Sequence, residues 1–204
     1  MTNETTGGKN PHADKIFTVS NILSLSRIVI VIPIIYFLDL GNTNPRHNLT
    51  ALALMIIGGL TDTFDGQLAR KMNQITNFGK VIDPIADKIG MAAILLFLAF
   101  SRDDFPVWFL VVALVRDILI FSAGLYIKNK YAFLFTSNML GKITITVVAL
   151  MVTVYVVKDV FLIEGFYVFL LWVSTILLVT SFYVYVLRLL KFLRLNQKNT
   201  KDVI

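Results

Sequence analysis

A chain of 204 residues that is 56% hydrophobic, with a mean hydropathy of +0.74, is too apolar for an ordinary soluble domain. It has no cysteine and two distant histidines, His12 and His47, which excludes a disulfide framework or thiolate centre and argues against zinc or haem. The net charge of +6 belongs to membrane-flanking segments and lipid headgroups, with no nucleic-acid partner expected.

The first 18 residues, MTNETTGGKNPHADKIFT, are polar. They lack the basic-then-apolar order of a signal peptide, so an uncleaved cytoplasmic N-terminal segment is expected over 1–18, loose up to Asp14. Beyond it, apolar runs of bilayer-spanning length predict transmembrane helices over 20–39, 49–70, 82–101, 105–127, 138–157 and 164–190. The expected fold is therefore an all-α integral membrane protein with six transmembrane helices. They would form a catalytic domain over 19–194, followed by a solvated cytoplasmic tail over 195–204. The links are unequally charged. Lys9, Lys15, Lys71, Lys80, Lys128, Lys130, Lys191, Arg194, Lys198 and Lys201 flank one side. The other has Arg46, Arg102 and Lys158 among Asp39, Asp103, Asp104, Asp159 and Glu164. This asymmetry puts both termini and the 71–80 loop in the cytoplasm of a bacterial-type membrane, and an even number of spans agrees with it.

The one basic residue of span one is Arg27, close enough to the cytoplasmic end to snorkel. Spans two and three, joined by a short loop, carry Asp62, Asp65, Asp83 and Asp87. Asp62 and Asp65 are three residues apart and Asp83 and Asp87 four, so each pair shares a helix face. An ionised Asp in a span costs about 2.5–3.5 kcal/mol on insertion scales, less near the interface, and four together repel one another unless a positive group lies between them. Hard divalent cations take oxygen ligands of this kind. The pattern suggests a two-metal site of the phosphoryl-transfer type, with ions about 4 Å apart, at the cytoplasmic ends of the two spans. Gly66 and Ala69 leave room for a close approach, and Arg70 on the next turn suits a phosphate. If the four Asp merely ended one span and began the next, the Gly, Ala and Arg spacing would have no reason.

Span four holds Arg116 beside Asp117, with which it can pair. Span five opens on Gly141 and Lys142, and span six ends near Arg188, which can snorkel. Cations within a membrane need anionic partners. Asp117 does not serve three of them, so Arg116, Lys142 and Arg188 are expected to bind an acceptor that carries its own phosphate.

The stretch DTFDGQLARKMNQITNFGKVIDPIAD, residues 62–87, resembles the signature of the CDP-alcohol phosphotransferases, D-x2-D-G-x2-A-R-x8-G-x3-D-x3-D. All eight fixed positions match: Asp62, Asp65, Gly66, Ala69, Arg70, Gly79, Asp83 and Asp87. The resemblance implies an enzyme in which an alcohol displaces CMP from a CDP-linked lipid, using two divalent ions, Mg²⁺ or Mn²⁺. It implies Asp62, Asp65 and Asp83 as metal ligands, and Asp87 as both a ligand of the second metal and the general base. Gly66, Ala69, Arg70, Thr76 and Gly79 would line the CDP site, and a homodimer embedded in membrane lipids is implied. NILSLSRIVIVIP, DPIADK and LGKITIT further resemble the phosphatidylglycerophosphate synthases. The expected donor is CDP-diacylglycerol and the expected acceptor a phosphorylated polyol, glycerol 3-phosphate first. Inositol phosphate is an alternative acceptor, as is phosphatidylglycerol, since cardiolipin synthases share DPIADK and an Arg-Asp pair in span four. An ion- or proton-coupled transporter is the non-enzyme alternative, but such proteins are built from repeated halves with broken helices, and no internal repeat is visible.

Overall fold

A computed structural model of the chain has six α-helices: α1 (Val19–Leu40), α2 (His47–Lys71), α3 (Gly79–Ser101), α4 (Val107–Tyr131), α5 (Met139–Phe161) and α6 (Glu164–Lys201). The structure describes the backbone of residues 19–71, 79–131 and 139–201, and the side chains of 26, 28–61, 88–128, 130 and 139–194. Among the described residues there is no strand. Each apolar run read from the sequence becomes one helix, the form that satisfies every backbone group within the segment when no water is at hand. Three described stretches are long and apolar enough to cross a membrane: Val107–Lys128, Met139–Phe161 and Glu164–Arg194. Ile28–Leu40, His47–Thr61 and Lys88–Ser101 are shorter apolar stretches of α1, α2 and α3. Large apolar side chains face outward along the helices, Phe100 at 76% and Ile32 at 68% exposure among them, as a lipid-facing surface requires.

The chain divides into two compact units, Met1–Ser101 and Arg102–Ile204. In the first, α1 packs against both α2 and α3. Val31, Ile34 and Leu38 recur at three- and four-residue spacing and form the buried face of α1. A Cβ on Gly90 would lie 3.3 Å from Val31 Cγ2, so α3 comes this close to α1 because Gly90 has no side chain, the usual device where apolar attraction between helices is absent. The α1–α2 link is tied down locally. The Thr43 hydroxyl donates to Leu40 O at 2.9 Å, and Asn44 Oδ1 accepts from Arg46 N at 3.1 Å.

In the second unit α5 packs antiparallel to α6. Thr144 donates to Leu177 O and Ser174 to Val147 O, so numbers fall on one helix as they rise on the other. The Arg116–Ser181 and Tyr185–Ile120 bonds advance together, so α4 runs parallel to α6. Thr144, Ser174 and Ser181 are all buried; their small size permits close packing and their hydroxyls bridge helices.

Several helix ends lie beyond their expected edges, the start of α3 at Gly79 and the end of α4 at Tyr131 among them. α5 runs through Lys158 to Phe161 because the Lys158 ammonium, although buried, is neutralised. It lies 2.7 Å from Asp104 and 3.1 Å from Asp159, and 5.5 and 6.0 Å from the Tyr155 and Tyr167 ring centres. α6 continues past residue 190 to Lys201, on a sequence rich in Leu, Lys, Arg and Gln, all good helix formers. Between the two helices, Leu162 adopts φ 55° and Ile163 N donates to Lys158 O at 3.0 Å, the bond pattern that closes a helix through a left-handed residue.

Candidate active site

Asp62, Asp65, Gly66, Ala69 and Arg70 fall on the last turns of α2, and Gly79, Asp83 and Asp87 on the first turns of α3. The helical backbone there preserves the i, i+3 and i, i+4 spacings that give each Asp pair one face. At 1.5 Å per residue, the first pair lies roughly 9–14 Å back from the end of α2 and the second roughly 6–12 Å into α3. The two Asp pairs are thus set back by comparable lengths of helix from the ends that flank the 72–78 link. The side chains of these eight residues, and Thr76 altogether, lie outside the described residues. Among the described side chains, no group of three or more metal-binding residues occurs. The donor chemistry of the quartet is carboxylate oxygen alone, which fits hard divalent ions such as Mg²⁺ and Mn²⁺ and not a soft-metal site.

The second unit gathers part of the expected cation set. Arg116 on α4 is 9% exposed. Its Nη1 donates to Asp117 Oδ1 at 2.6 Å and its Nη2 to Ser181 Oγ at 3.0 Å. Its Nε is buried without a hydrogen-bond partner. A Cβ on Gly141 would lie 3.7 Å from Nη2, so the guanidinium reaches the start of α5 as well as α6. Lys142 follows Gly141 and is exposed; by the α5–α6 register it is level with the α6 turn that holds Ser181. Arg188, also exposed, is two turns or about 10 Å further along α6 on the face of Ser181. The structure therefore brings Arg116 to the start of α5, at Gly141, and sets Arg188 two turns beyond Ser181 on α6. Ser181 and Gly141 are absent from the sequence-derived set. The sequence signal for Ser181 is that Ser174, Ser181 and Arg188 recur every seven residues on one face of α6, and that for Gly141 is its place in LGKITIT.

A second polar cluster lies at the other end of α5. Tyr155 donates to Asp104 Oδ1 at 2.6 Å, and Lys158 pairs with Asp104 Oδ2. Burial alone would push the Asp104 carboxyl up, but its bonds to Lys158 and Tyr155, together with the Lys158 charge, hold it below the usual carboxylate range. The ammonium is already matched by two carboxylates, and the cluster contains no nucleophile or metal-binding trio, so its role is to tie the α3–α4 link to the end of α5.

A family model described as CDP-alcohol phosphatidyltransferase matches residues 17–187. A Bacillus subtilis protein named CDP-diacylglycerol–glycerol-3-phosphate 3-phosphatidyltransferase is 34% identical over 138 residues, 62% of this chain and 70% of that protein. An Aquifex aeolicus protein of the same name is 36% identical over 115 residues, 55% of this chain and 62% of that protein. A Streptomyces coelicolor protein named cardiolipin synthase (CMP-forming) is 33% identical over 121 residues, 58% of this chain and 55% of that protein. The chain thus spans less than two thirds of the Aquifex and Streptomyces relatives.

Proposed function

The chain belongs to the CDP-alcohol phosphatidyltransferase family, and from that membership we propose that it transfers the phosphatidyl group of CDP-diacylglycerol to the hydroxyl of a phosphorylated polyol, glycerol 3-phosphate first, with release of CMP. The observation that carries this reading is the complete signature from Asp62 to Asp87, which lies on the last turns of α2 and the first turns of α3 and inside the family match. Asp62, Asp65, Asp83 and Asp87 would hold two Mg²⁺ or Mn²⁺ ions, which when bound supply the positive charge that a pyrophosphate and a departing CMP need. Gly66 and Ala69 let the nucleotide approach the helix, Arg70 pairs with its phosphates, and Thr76 and Gly79 complete the lining. Asp87 accepts the proton of the acceptor hydroxyl as that oxygen bonds to the diacylglycerol-bearing phosphorus and the bond to CMP breaks. The acceptor's own phosphate falls to Lys142, Arg188 and the spare Nε of Arg116.

The same reading makes all six helices membrane spans. Both termini and the Asp quartet would be cytoplasmic, the segments 1–18 and 195–204 would flank a catalytic domain over 19–194, and the enzyme would work as a homodimer. A second acceptor, phosphatidylglycerol, is favoured by the Streptomyces relative's name and enters the same test. Purified protein is given CDP-diacylglycerol, Mg²⁺ or Mn²⁺, and in turn glycerol 3-phosphate, inositol phosphate, phosphatidylglycerol, glycerol and serine. CMP should appear with glycerol 3-phosphate and not with glycerol or serine. CMP with phosphatidylglycerol alone moves the assignment to the second acceptor, and no CMP with any acceptor overturns the reaction.

A further inference from the structure

α6 has 38 residues, roughly 57 Å of helix, whereas about 20 residues span the hydrocarbon core. Its apolar run starts beside the Leu162 turn, so the surplus length is at its C-terminal end. There Lys191, Arg194, Lys198 and Lys201 occupy positions i, i+3, i+7 and i+10 of one continuous helix. At 3.6 residues per turn these positions fall within about 80° of arc. No acidic residue follows Glu164 anywhere in α6, so nothing within the helix neutralises the stripe. The uncharged Asn196 and Thr200 hold positions on the other side. At the membrane-proximal end of the stripe, Leu187 lies within its arc and Leu190 about 20° beyond its edge; they are 48% and 46% exposed. With Lys191 and Arg194 they line an open groove.

We propose that Lys191, Arg194, Lys198 and Lys201 form a docking stripe for anionic phospholipid headgroups, with Leu187 and Leu190 receiving the upper acyl chain. Charge selects the headgroup: each Lys or Arg near an anionic leaflet strengthens the attraction roughly five-fold. The exposed leucines select a lipid over a free anion, because a phosphate ion makes no use of apolar surface beside its cations. The inference does not rest on the proposed reaction.

The test uses the full chain in lipid nanodiscs. Because the protein has no cysteine, an Asn199→Cys variant carries a single fluorophore level with the stripe and outside its arc. Quenching by a headgroup-labelled phosphatidylglycerol is compared with quenching by the matching phosphatidylcholine at equal mole fraction. At low salt the anionic lipid should quench at least about five-fold more efficiently. The preference should collapse toward one in Lys191→Gln/Arg194→Gln/Lys198→Gln/Lys201→Gln and persist in Lys191→Arg/Lys198→Arg/Lys201→Arg. It should also collapse in the charge-intact protein near molar salt, where the Debye length is about 3 Å; this arm does not depend on a glutamine variant that folds. Equal quenching by both lipids at low salt overturns the proposal, as does a preference indifferent to the glutamine changes or to salt. Selective loss of the preference to millimolar inorganic phosphate, at matched ionic strength, or to a short RNA would also overturn it, assigning the stripe to a free anion or a nucleic acid.

Discussion

A guanidinium inside a membrane protein needs its charge paired, and Arg116 shows what that takes. Asp117 supplies the charge, Ser181 a second acceptor, and Gly141 the space. Ser181→Ala should lower stability by about 1.5–3 kcal/mol, the range for a hydrogen bond to a charged group, seen as a lower melting temperature in detergent. Gly141→Ala should be close to neutral, because its Cβ would meet Arg116 Nη2 at an ordinary 3.7 Å, whereas Gly141→Leu should displace the guanidinium and destabilise the protein. If Gly141→Leu melts with wild type, the approach of Arg116 to α5 is wrong. For the proposed chemistry, Asp87→Asn should cut CMP release by about two to four orders of magnitude, the usual size of a lost general base, and turnover near wild type at neutral pH would remove that role. The Asp quartet was legible in the sequence because charge in a span is costly and its spacing repeats a helix face. Ser181 was not, since a lone serine in an apolar helix is commonly just a small packing residue.

At the level of elements, the α5–α6 connection and the α3–α4 link hold the second unit at one end. Leu162 takes a left-handed conformation that costs an L-residue roughly 1–2 kcal/mol and glycine far less. Leu162→Gly should therefore stabilise the protein by about 1 kcal/mol, partly offset by a looser unfolded chain, and a fall in melting temperature would contradict the turn geometry. The Asp104–Lys158 pair gives a pH signature. The folded carboxyl lies below its ordinary value of 3.8, so its contribution is complete above that value and is lost as pH falls through the lower folded value. The stability gap between wild type and Asp104→Asn should be constant above about pH 5 and shrink below 3.8; a gap that widens in acid would reverse the sign and the assignment. Helix identity was readable because runs near twenty apolar residues admit few other folds. The ends were harder. Lys158 looked like a flanking charge because its partner Asp104 is 54 positions away in the chain. The close of α6 looked like a solvated tail because helix-forming residues without an apolar face give no span signal.

Across the whole molecule, the distribution of basic residues makes the most exposed claim. If each of the six helices crosses the bilayer, the links that contain residues 43, 103 and 162 lie on one side, and those that contain 73 and 136 on the other. Lys and Arg concentrate near the second group and the two termini, while Asp39, Asp103, Asp104, Asp159 and Glu164 cluster near the first, an asymmetry that would orient the second group to the cytoplasm. The absence of native cysteine makes single-cysteine variants free of background. In intact spheroplasts, a membrane-impermeant maleimide should label Thr43→Cys, Asp103→Cys and Leu162→Cys. Asn73→Cys and Thr136→Cys should react only after permeabilisation. Labelling of Asn73→Cys from outside would put the Asp quartet on the wrong face for a nucleotide-linked donor made in the cytoplasm. Equal labelling of Thr43→Cys and Asn73→Cys would mean that α2 does not cross, leaving the carboxylates of α2 and α3 without the interfacial setting in which a water-soluble acceptor and a lipid donor can meet.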